Sequence, residues 1–427
     1  MSVMARPDPH VVIVGGGFAG LWATRALASA KLRITLVDRG NHHLFQPLLY
    51  QVATAGLSAP DIAAPLRHIL RKQKNVEVRM AAVTGIDAAA KRIALDDGGS
   101  LDFDFLLLAS GATHAYFGND HWARHAPGLK TLDDALDLRR KLLLAFERAE
   151  AATDPAEREA WLSFAIVGGG PTGVELAGTL AEIARHTLQD EFRNIDPAQA
   201  KVRLLEAGPR VLASFPEDLS AKAKRQLEKL GVEVALGTPV QDINADGYML
   251  GDAFVPAKTV VWAAGVAASP LGAMLGVPLD RAGRVQVQPD LGVPGHPDIF
   301  VAGDLASLMQ ANGKPVPGVA PAAKQMGRLV AANIRARLAG KPTQAFAYKD
   351  YGNLATIGRM AAVVDFGRLK FSGLPAWWFW LTAHVFFLIG FRNRVVVLLN
   401  WWWAYWSYQR AARIILGDAR APPSGRS

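Results

Sequence analysis

The sequence predicts an α/β protein with two Rossmann-like dinucleotide-binding domains, one inserted into the other, and a C-terminal helical membrane-anchoring region. Three observations predict this fold class. A glycine-rich turn joins a β-branched strand to a helix near the start of the chain, and the same pattern recurs 153 positions later. The end of the chain is rich in tryptophan and arginine.

The composition is typical of a folded protein with a large core. At ~150 residues per domain, the 427 residues suggest two or three domains. Half of the residues are apolar and 20% are charged, which excludes a disordered chain. The sequence contains no cysteine, which excludes disulfide scaffolds, cysteine-ligated iron–sulfur or zinc sites and thiol catalysis. Any redox chemistry must therefore be carried by a bound cofactor.

The first glycine-rich turn lies between a predicted buried strand and a predicted helix. Val11–Val14 is β-branched throughout and runs directly into the G-x-G-x-x-G motif of Gly15, Gly17 and Gly20. A helix over Leu21–Ala30 is expected to follow. In this motif the first glycine permits a tight turn, the second lets the backbone approach a pyrophosphate, and the third allows close packing of helix on strand.

An acidic residue completes this first motif. A second predicted strand, Leu32–Val37, ends at Asp38, which lies 23 residues after Gly15. A carboxylate at this place accepts hydrogen bonds from ribose hydroxyls, while the helix N-terminus faces the phosphates. The glycines alone could form an ordinary turn, but strand, turn, helix and acid together predict a dinucleotide site.

The same pattern recurs in the middle of the chain. Its parts are the strand Phe164–Val167, the glycines Gly168, Gly170 and Gly173, the helix Val174–Ala184, and the strand Val202–Leu205 with Glu206 at its end. A polar insertion over 185–201 lengthens the interval. The carboxylate of Glu206 repels a 2′-phosphate, which favours NADH over NADPH, whereas Arg210 is a mild counter-signal. The alternative, a degenerate duplicate without a ligand, is weakened by the intact acid.

Three further predicted strands end in small residues, as expected where backbone passes close to a dinucleotide. They are Leu101–Leu108 before Gly111, Thr259–Trp262 before Gly265, and Asp298–Ala302 before Gly303 and Asp304.

The part of the chain from Gly352 onward carries most of the formal charge. Its nine basic and two acidic residues supply +7 of the total +9, and it holds seven of the eleven tryptophans. This composition indicates anionic lipid headgroups rather than nucleic acid. Gly373–Phe391 spans ~28 Å as a helix, just short of a ~30 Å hydrocarbon core, and Val395–Trp406 is shorter still. We predict a monotopic anchor in the membrane interface; a marginal spanning helix and a buried, tryptophan-rich core or dimer interface are the alternatives.

With these segments in order, the chain resembles the type II, single-subunit NADH:quinone oxidoreductases, within the two-dinucleotide-binding-domain flavoproteins. The resemblance is carried by Asn41–Ala53, Ala109–Gly111, Gly170–Glu175, Gly303–Asp304, Gly318–Gln325 and Phe387–Arg394. The glycine motifs fit many flavoproteins, whereas the last two stretches are more specific. Disulfide reductases and sulfide:quinone oxidoreductases of this fold need cysteines that this chain lacks.

The resemblance implies FAD in the first domain, NADH as co-substrate in the second, and two-electron reduction of a membrane quinone, ubiquinone or menaquinone, without proton pumping. We expect five segments in order: the first part of the FAD-binding domain at 1–120, a helical connection at 121–160, the NADH-binding domain at 161–268, the second part of the FAD-binding domain at 269–345, and a membrane-interface region at 346–427.

Glu175 and Gln325 are the catalytic candidates that the resemblance implies. Glu175 would lie near nicotinamide and flavin and protonate the quinone; alternatively it only positions the nicotinamide, or is an acid favoured by the dipole of the first helical turn. Gln325 would lie beside the flavin and the quinone headgroup, with Pro321 replacing the family's other glutamine; alternatively it is a polar residue on an ordinary helix face. Phe45–Tyr50 would pack around the flavin ring or simply fill the core.

The expected cofactor-binding residues are Gly15, Gly17, Phe18, Ala19, Gly20, Asp38, Arg39, Val83, Gly111, Gly168, Gly170, Pro171, Thr172, Gly173, Glu206, Gly265, Gly303, Asp304 and Ala322. No metal site is expected, because His42 and His43 have no acidic or cysteine neighbours at metal-ligand spacing.

Three classes of function stay open at this point. They are a membrane-bound NADH:quinone oxidoreductase, a soluble FAD- and NADH-dependent reductase of a small electron-carrier protein, and a non-catalytic flavin redox sensor. The tail favours the first. No signal peptide is expected, since only four apolar residues follow a polar N-terminus, and this places the enzyme peripherally on the cytoplasmic face of the cell membrane. We expect an anionic lipid surface as partner and no nucleic acid, and leave a homodimer open.

Overall fold

Residues 8–410 and 412–415 are described by a computed structural model. The strands in this part of the chain are β1 His10–Val14, β2 Arg33–Asp38, β3 His42–Leu44, β4 Ala63–Pro65, β5 Val76–Met80, β6 Val83–Asp87, β7 Arg92–Leu95, β8 Ser100–Asp102, β9 Phe105–Leu108, β10 Ala112–His114, β11 Ser163–Val167, β12 Lys201–Glu206, β13 Val232–Leu236, β14 Val240–Ile243, β15 Gly247–Leu250, β16 Ala253–Pro256, β17 Thr259–Trp262, β18 Val266–Ala268, β19 Val285–Gln286, β20 Gly292–Val293, β21 His296–Val301, β22 Ala306–Ser307, β23 Asn353–Gly358, β24 Ala361–Asp365 and β25 Lys370–Ser372.

The α-helices of the same residues are α1 Phe18–Ala26, α2 Leu49–Ala53, α3 Ala59–Ile62, α4 Leu66–Leu70, α5 Leu132–Ala151, α6 Pro155–Trp161, α7 Pro171–Glu182, α8 Glu217–Lys229, α9 Ala320–Leu338, α10 Leu374–Phe387 and α11 Phe391–Ser407. A π-helical turn, Ile183–Thr187, continues α7. Short 3-10 turns lie at Gln46–Leu48, Asp120–Arg124, Pro197–Gln199, Pro270–Leu275 and Gly303–Leu305.

Two compact units divide the chain. The first unit contains the residues up to His43, Ala64–Thr113 and Val266–Tyr351. The second unit contains Leu44–Ala63, His114–Gly265 and the residues from Gly352 onward. The segment His114–Gly265 of the second unit interrupts the first unit in sequence, but the second unit also includes Leu44–Ala63 and the residues from Gly352 onward. The division into five segments, with the first part of the FAD-binding domain at 1–120, stays a prediction.

A six-stranded sheet forms the centre of the first unit, in the order β20-β21-β9-β1-β2-β5. All of it is parallel except the edge strand β20. β1 lies between β2 and β9 and is buried along its whole length, which explains its β-branched composition. Helices α1 and α9 pack closely because Gly327 has no side chain; a Cβ there would overlap the Ala19 carbonyl oxygen.

A four-stranded parallel sheet forms the centre of the second unit, in the order β13-β12-β11-β17. Helix α7 packs on β23, and this approach also needs a glycine, because a Cβ on Gly178 would overlap the Ile357 carbonyl oxygen. The antiparallel sheets β14-β15-β16 and β23-β24-β25 complete the unit.

The single strand predicted over Leu101–Leu108 is wrong. The structure divides it into β8, in an antiparallel sheet with β6 and β7, and β9, in the central sheet. The break occurs at Asp104, whose amide donates to the His10 carbonyl (2.8 Å) and whose carboxylate accepts from the His10 amide (2.6 Å). These two hydrogen bonds hold Asp104 against the first residue of β1, so β8 ends before Asp104 and β9 begins after it.

The predicted strand Thr259–Trp262 forms with the predicted bounds, and the other predicted strands form with bounds shifted by one or two residues. Both motif helices begin earlier than predicted. α1 begins at Phe18 and ends at Ala26, and α7 begins at Pro171. The reason is that Gly17 and Gly170 are the N-cap residues, so each helix starts inside its glycine motif. Glu175 is therefore the fifth residue of α7. It lies outside the first helical turn, whereas the sequence predicts it within that turn.

The tail forms two helices, α10 and α11, at the two apolar segments Gly373–Phe391 and Val395–Trp406 of the sequence. A break at Gly390, which has φ +95°, separates α10 from α11. In the described residues, no helix combines the length and the apolar character needed to cross a membrane. Many large apolar side chains are exposed on these helices: Trp378, Phe379, Phe386, Phe387, Leu398, Leu399, Trp402, Trp403 and Trp406. Trp380 is buried, so only part of the tryptophan content serves as core.

Candidate functional site

The first glycine-rich turn has room for glycine alone at two of its three motif positions. Gly15 has φ +105°, and a Cβ there would overlap the Ala109 carbonyl oxygen. A Cβ on Gly20 would overlap the Gly15 carbonyl oxygen. Gly17 differs, because its φ is −71° and nothing lies within 4 Å of the place of a Cβ. The open space at Gly17, beside the N-terminus of α1, suits a phosphate group.

Asp38 is fixed beside this turn by two backbone amides. Its Oδ2 atom accepts from the Gly16 amide (2.5 Å), and its Oδ1 atom accepts from the Gly40 amide (2.7 Å). Each carboxylate oxygen has further acceptor capacity for a ribose hydroxyl. A contact of Asp38 with a ribose stays a prediction.

Two buried polar atoms next to this turn have no partner among the described residues. One is the Nε2 atom of His43 and the other is the hydroxyl of Ser110. Burial lowers the pKa of His43, and its neutral ring donates from Nδ1 to the Gly16 carbonyl (2.9 Å). Since buried polar groups are normally hydrogen-bonded, these two atoms indicate a polar ligand at the turn, and the residues present fit FAD.

The other predicted residues of the first unit lie around the turn to different degrees. Gly303 has φ +77°, and its Cβ position lies 3.5 Å from Ala19 and 3.6 Å from Ala323, so it joins the N-terminal ends of α1 and α9. Phe18 lies edge-on to His43 at 5.1 Å, and Asp304 lies next to Gly318. Ala322 is buried, Arg39 is exposed, and Gly111 has φ +69°. Val83 follows two residues after Ala81, whose amide donates to the Asp38 carbonyl.

The second turn repeats this geometry. Gly168 has φ +112° and lies against Ala263, and a Cβ on Gly173 would overlap the Gly168 carbonyl oxygen. Gly170 has φ −72° with open space at its Cβ position. The exposed residues Pro171 and Thr172 begin α7, and Gly265 follows β17 beside Phe117.

Glu206 is the counterpart of Asp38 at the second turn. Its carboxylate accepts from the amides of Gly169 and Gly208, each at 2.6 Å. Arg210, the counter-signal for NADPH, donates to the backbone carbonyls of Phe215 and Ala213, each at 3.0 Å. Its guanidinium is thus committed to its own loop, which weakens the case for a 2′-phosphate.

Glu175 is largely buried on the inner part of α7. Burial raises the pKa of Glu175 well above its usual range, and a hydrogen bond from the Thr356 backbone only partly opposes this. A helix N-terminus would lower the pKa of an acid, so the dipole explanation does not account for this residue. The carboxyl of Glu175 therefore keeps its proton to a higher pH than an exposed glutamate does, and in that form it can donate a hydrogen bond or a proton.

Gln325 lies on α9, and its side-chain amide makes two hydrogen bonds to the backbone of one residue, Lys349. Its Nε2 atom donates to the Lys349 carbonyl and its Oε1 atom accepts from the Lys349 amide, both at 2.9 Å. This arrangement fixes the chain near Lys349 against α9 and agrees with the alternative of a polar residue on a helix face. Pro321 lies in the first turn of α9, where its missing amide costs nothing. A contact of Gln325 with quinone stays a prediction.

Phe45–Tyr50 fills core of the second unit, since Phe45, Leu48, Leu49 and Tyr50 are each at most 4% exposed. A half-buried histidine that the sequence analysis did not single out lies against them. His384 contacts Phe45 edge-on at 6.2 Å and stacks on Trp380 at 4.2 Å, and burial lowers its pKa to about 4. The signal was present, because His384 is the one ionisable residue within Gly373–Phe391.

A buried ion pair was missed as well. Arg410 pairs with Glu182 at 3.4 Å, with side chains 14% and 12% exposed. The partners are 228 positions apart, so no local pattern could connect them. In the described residues, no group of three histidine, aspartate or glutamate side chains has the geometry of a metal site.

Comparison with protein families identifies the class of protein first. A family model described as pyridine nucleotide-disulphide oxidoreductase matches residues 9–327, more than half of the chain. Among solved structures, that of NDH2 from Plasmodium falciparum in complex with NADH superposes with a TM-score of 0.86, covering 96% of this chain and all of that one at 20% identity. The fold is therefore that of this class.

Individual relatives narrow the class to one family. The chain is 46% identical to the type II NADH:quinone oxidoreductase Ndh of Mycobacterium tuberculosis, covering 97% of this chain and 92% of the relative. It is 32% identical to the type II NADH:quinone oxidoreductase of Staphylococcus aureus, covering 83% of this chain and 89% of the relative. The chain belongs to the type II NADH:quinone oxidoreductases. FAD and NADH are typical of this family.

Proposed function

We propose that this protein oxidises NADH and reduces a membrane quinone, taking up one proton from solvent to give NAD⁺ and quinol, without pumping protons. The observation that carries the proposal is the 46% identity to a type II NADH:quinone oxidoreductase along 97% of the chain. The two complete dinucleotide turns support it, because the reaction needs one site for FAD and another for NADH.

The first unit holds FAD in this proposal. The Gly15–Gly20 turn and the N-terminus of α1 bind its pyrophosphate, Asp38 binds a ribose, and Ser110 and His43 supply the unpartnered polar atoms. When bound, FAD supplies the two-electron chemistry by accepting a hydride from NADH and passing electrons to quinone.

The second unit selects and orients NADH. The Gly168–Gly173 turn binds the pyrophosphate, and Glu206 binds the ribose while repelling a 2′-phosphate. Burial raises the pKa of Glu175, so its carboxyl holds a proton to a higher pH than an exposed glutamate, and it donates toward the reacting groups. Gln325 contributes by holding the chain near Lys349 in place.

Quinone is lipid-soluble, so its reduction requires contact with a bilayer. We infer that α10 and α11 provide it through the exposed side chains of Trp402, Trp403 and Trp406, which are 61%, 55% and 70% exposed. The proposal also includes binding to anionic lipids, a position on the cytoplasmic face of the membrane, and a homodimer. Two of the basic residues of the tail, Arg420 and Arg426, lie outside the described residues. A soluble electron-carrier reductase would have no use for this surface.

The first experiment measures NADH consumption by the purified full-length protein with and without a quinone. We expect rapid consumption only with quinone, and a preference for NADH over NADPH. A protein that transfers electrons to a small carrier protein but leaves quinone unreduced would contradict the proposal.

The membrane contact is tested by changing Trp402, Trp403 and Trp406 to Ser. The matched control changes three exposed apolar residues outside the tail, Met80, Phe254 and Met309, to Ser. We expect only the tail variant to lose flotation with anionic vesicles, while NADH still reduces its flavin. Equal flotation of both variants would overturn the assignment of the tail as anchor.

A further inference from the structure

Phe117 combines two features that the packing of the core does not require. Its side chain is 71% exposed, although its aromatic neighbours Tyr116, Trp122 and Trp262 are each at most 6% exposed. Its φ is +52°, in the left-handed region that bulky residues rarely adopt. Exposure alone would mean little, because single apolar side chains are common on protein surfaces. Strained backbone of this kind, however, is concentrated at ligand sites.

Contacts on the N-terminal side of Phe117 hold its loop against the end of β17. The Trp262 indole donates to the Ala115 carbonyl at 2.8 Å, and the Ala115 amide donates to the Gly265 carbonyl at 3.3 Å. The ring of Tyr116 stacks on Trp262 at 5.2 Å. The surrounding structure therefore maintains the left-handed backbone at Phe117 and determines where its ring lies.

The ring of Phe117 lies directly on the backbone of Gly265. A Cβ on Gly265 would lie 2.5 Å from the Cζ atom of Phe117, so a larger residue there would displace the ring. The ring also lies edge-on to Trp262 at 6.2 Å. It thus rests on the protein at one side, and most of its surface is left for a ligand.

The sheet of the second unit places this ring at one end of a row of ligand-binding features. β11 lies between β12 and β17, and all three strands are parallel. Ligands of such sheets bind beyond the carboxyl ends of the strands, where the strand order reverses. Glu206 ends β12, the Gly168–Gly173 turn follows β11, and Gly265 follows β17. The turn and the end of β17 touch, because Gly168 lies against Ala263.

The chemistry of the dinucleotide gives its direction along this row. The 2′-phosphate of NADPH is carried by the adenosine ribose, so the carboxylate that repels it, Glu206, marks the adenosine end. The pyrophosphate lies in the middle of the molecule and belongs at the open glycine, Gly170. The nicotinamide half then extends over the end of β17, toward Gly265 and Phe117.

We propose that Phe117 is a substrate-contact residue, whose exposed ring packs on the nicotinamide half of NADH. This inference rests on the proposed function, in which the second unit binds NADH. Nicotinamide is a flat heteroaromatic ring, and aromatic rings pair favourably in offset or edge-on arrangements. Gly265, which the sequence predicts as a dinucleotide-binding residue, then acts by making room for the Phe117 ring.

The test compares two ligands that differ only by the nicotinamide, namely NAD⁺ and ADP-ribose. Their dissociation constants are measured by titration calorimetry on the full-length protein with its FAD, and the half-saturating NADH concentration for flavin reduction by anaerobic stopped flow. Phe117→Gly removes the ring and also relieves the left-handed strain, so it should not lower the melting temperature. Phe117→Leu keeps an apolar side chain without the aromatic ring. Phe254→Ala, at a 45% exposed phenylalanine of the same unit, is the matched control.

We expect Phe117→Gly and Phe117→Leu to weaken NAD⁺ binding about three- to tenfold, as for loss of one aromatic pair. The half-saturating NADH concentration should rise by a similar factor. The dissociation constant of ADP-ribose should stay at the wild-type value, because this fragment ends before the Phe117 ring. Phe117→Tyr keeps the ring, so it and Phe254→Ala should match the wild type with all three ligands.

Two results would overturn the inference. One is unchanged binding of NAD⁺ and NADH in Phe117→Gly and Phe117→Leu. The other is equal weakening of NAD⁺ and ADP-ribose, which is the result expected if Phe117 served only the structure of its loop. If NADH failed to reduce the flavin of the wild type itself, the proposed function would be contradicted instead.

Discussion

The two glycine-rich turns use the same backbone geometry in different units. The first glycine has φ +105° at Gly15 and +112° at Gly168, and the second glycine is open in both. In the first turn the Asp38 carboxylate accepts from the Gly16 amide at 2.5 Å, and in the second turn the Glu206 carboxylate accepts from the Gly169 amide at 2.6 Å. The protein backbone itself thus requires the first and third glycines of each turn, and the open second glycine leaves room for a phosphate group.

The helices behind the turns differ. Two residues after the third glycine, the first unit has Trp22, which stacks with Lys324 at 4.0 Å and Arg328 at 4.6 Å. The second unit has Glu175 at the corresponding position, largely buried and with a raised pKa. We propose that the two turns bind their dinucleotides alike, and that residues on the helices behind them, Trp22 and Glu175, distinguish the two sites.

The largest effects are expected at the glycines. Gly20→Ala and Gly173→Ala would each drive a Cβ into a carbonyl oxygen, so we expect loss of FAD in the first and loss of NADH binding in the second. Gly17→Ala and Gly170→Ala meet only open space in the protein and serve as controls. They should fold with wild-type thermal stability and lose only ligand affinity; a loss of stability in them would contradict the ligand role.

The acidic residues come next. Glu206→Gln keeps the size of the side chain but removes its charge, so we expect NADH affinity to fall about tenfold and discrimination against NADPH to shrink. Asp38→Asn should instead lower FAD retention and leave the nucleotide preference unchanged. Steady-state kinetics with both nucleotides and the FAD content of each variant separate the two. A wild type that prefers NADPH would refute the role of Glu206.

Glu175→Gln should change the pH dependence of stability. Because the folded protein binds this proton more tightly than the unfolded chain, stability falls as pH rises from the usual glutamate pKa of about 4.3 toward the raised folded value. This contribution is at most about 1.4 kcal/mol per pH unit, and Gln removes it. Thermal unfolding of both proteins across this pH range measures it. Parallel curves would show that Glu175 ionises normally.

The smallest effect is expected at the corresponding position of the first unit. Trp22→Leu removes cation–π contacts with three cations, Arg25, Lys324 and Arg328, each worth about 0.5–1 kcal/mol at an exposed site. We expect a slightly lower melting temperature, with NADH oxidation, quinone reduction and their pH dependence unchanged. A changed pH profile here would remove the functional distinction between the two helices.

Local sequence patterns were enough to predict both turns. The positive φ of the first glycine and the close approach of the third glycine to the first are both requirements within the turn itself. Contacts distant in sequence were not predictable in this way. The bond from Trp401 to Gln51 spans 350 positions and explains why Leu44–Ala63 belongs to the second unit. The amide pairing of Gln325 with Lys349 and the raised pKa of Glu175 likewise depend on packing, which periodicity does not reveal.

In the proposed reaction the two units act in sequence on one pair of electrons, which passes from NADH to quinone. The most direct test is the visible spectrum of the anaerobic, purified protein. We predict the absorption of bound FAD, its bleaching on addition of NADH, and its return on addition of a quinone with formation of quinol. A flavin that NADH bleaches but quinone does not restore would contradict the account, as would a protein that binds no FAD.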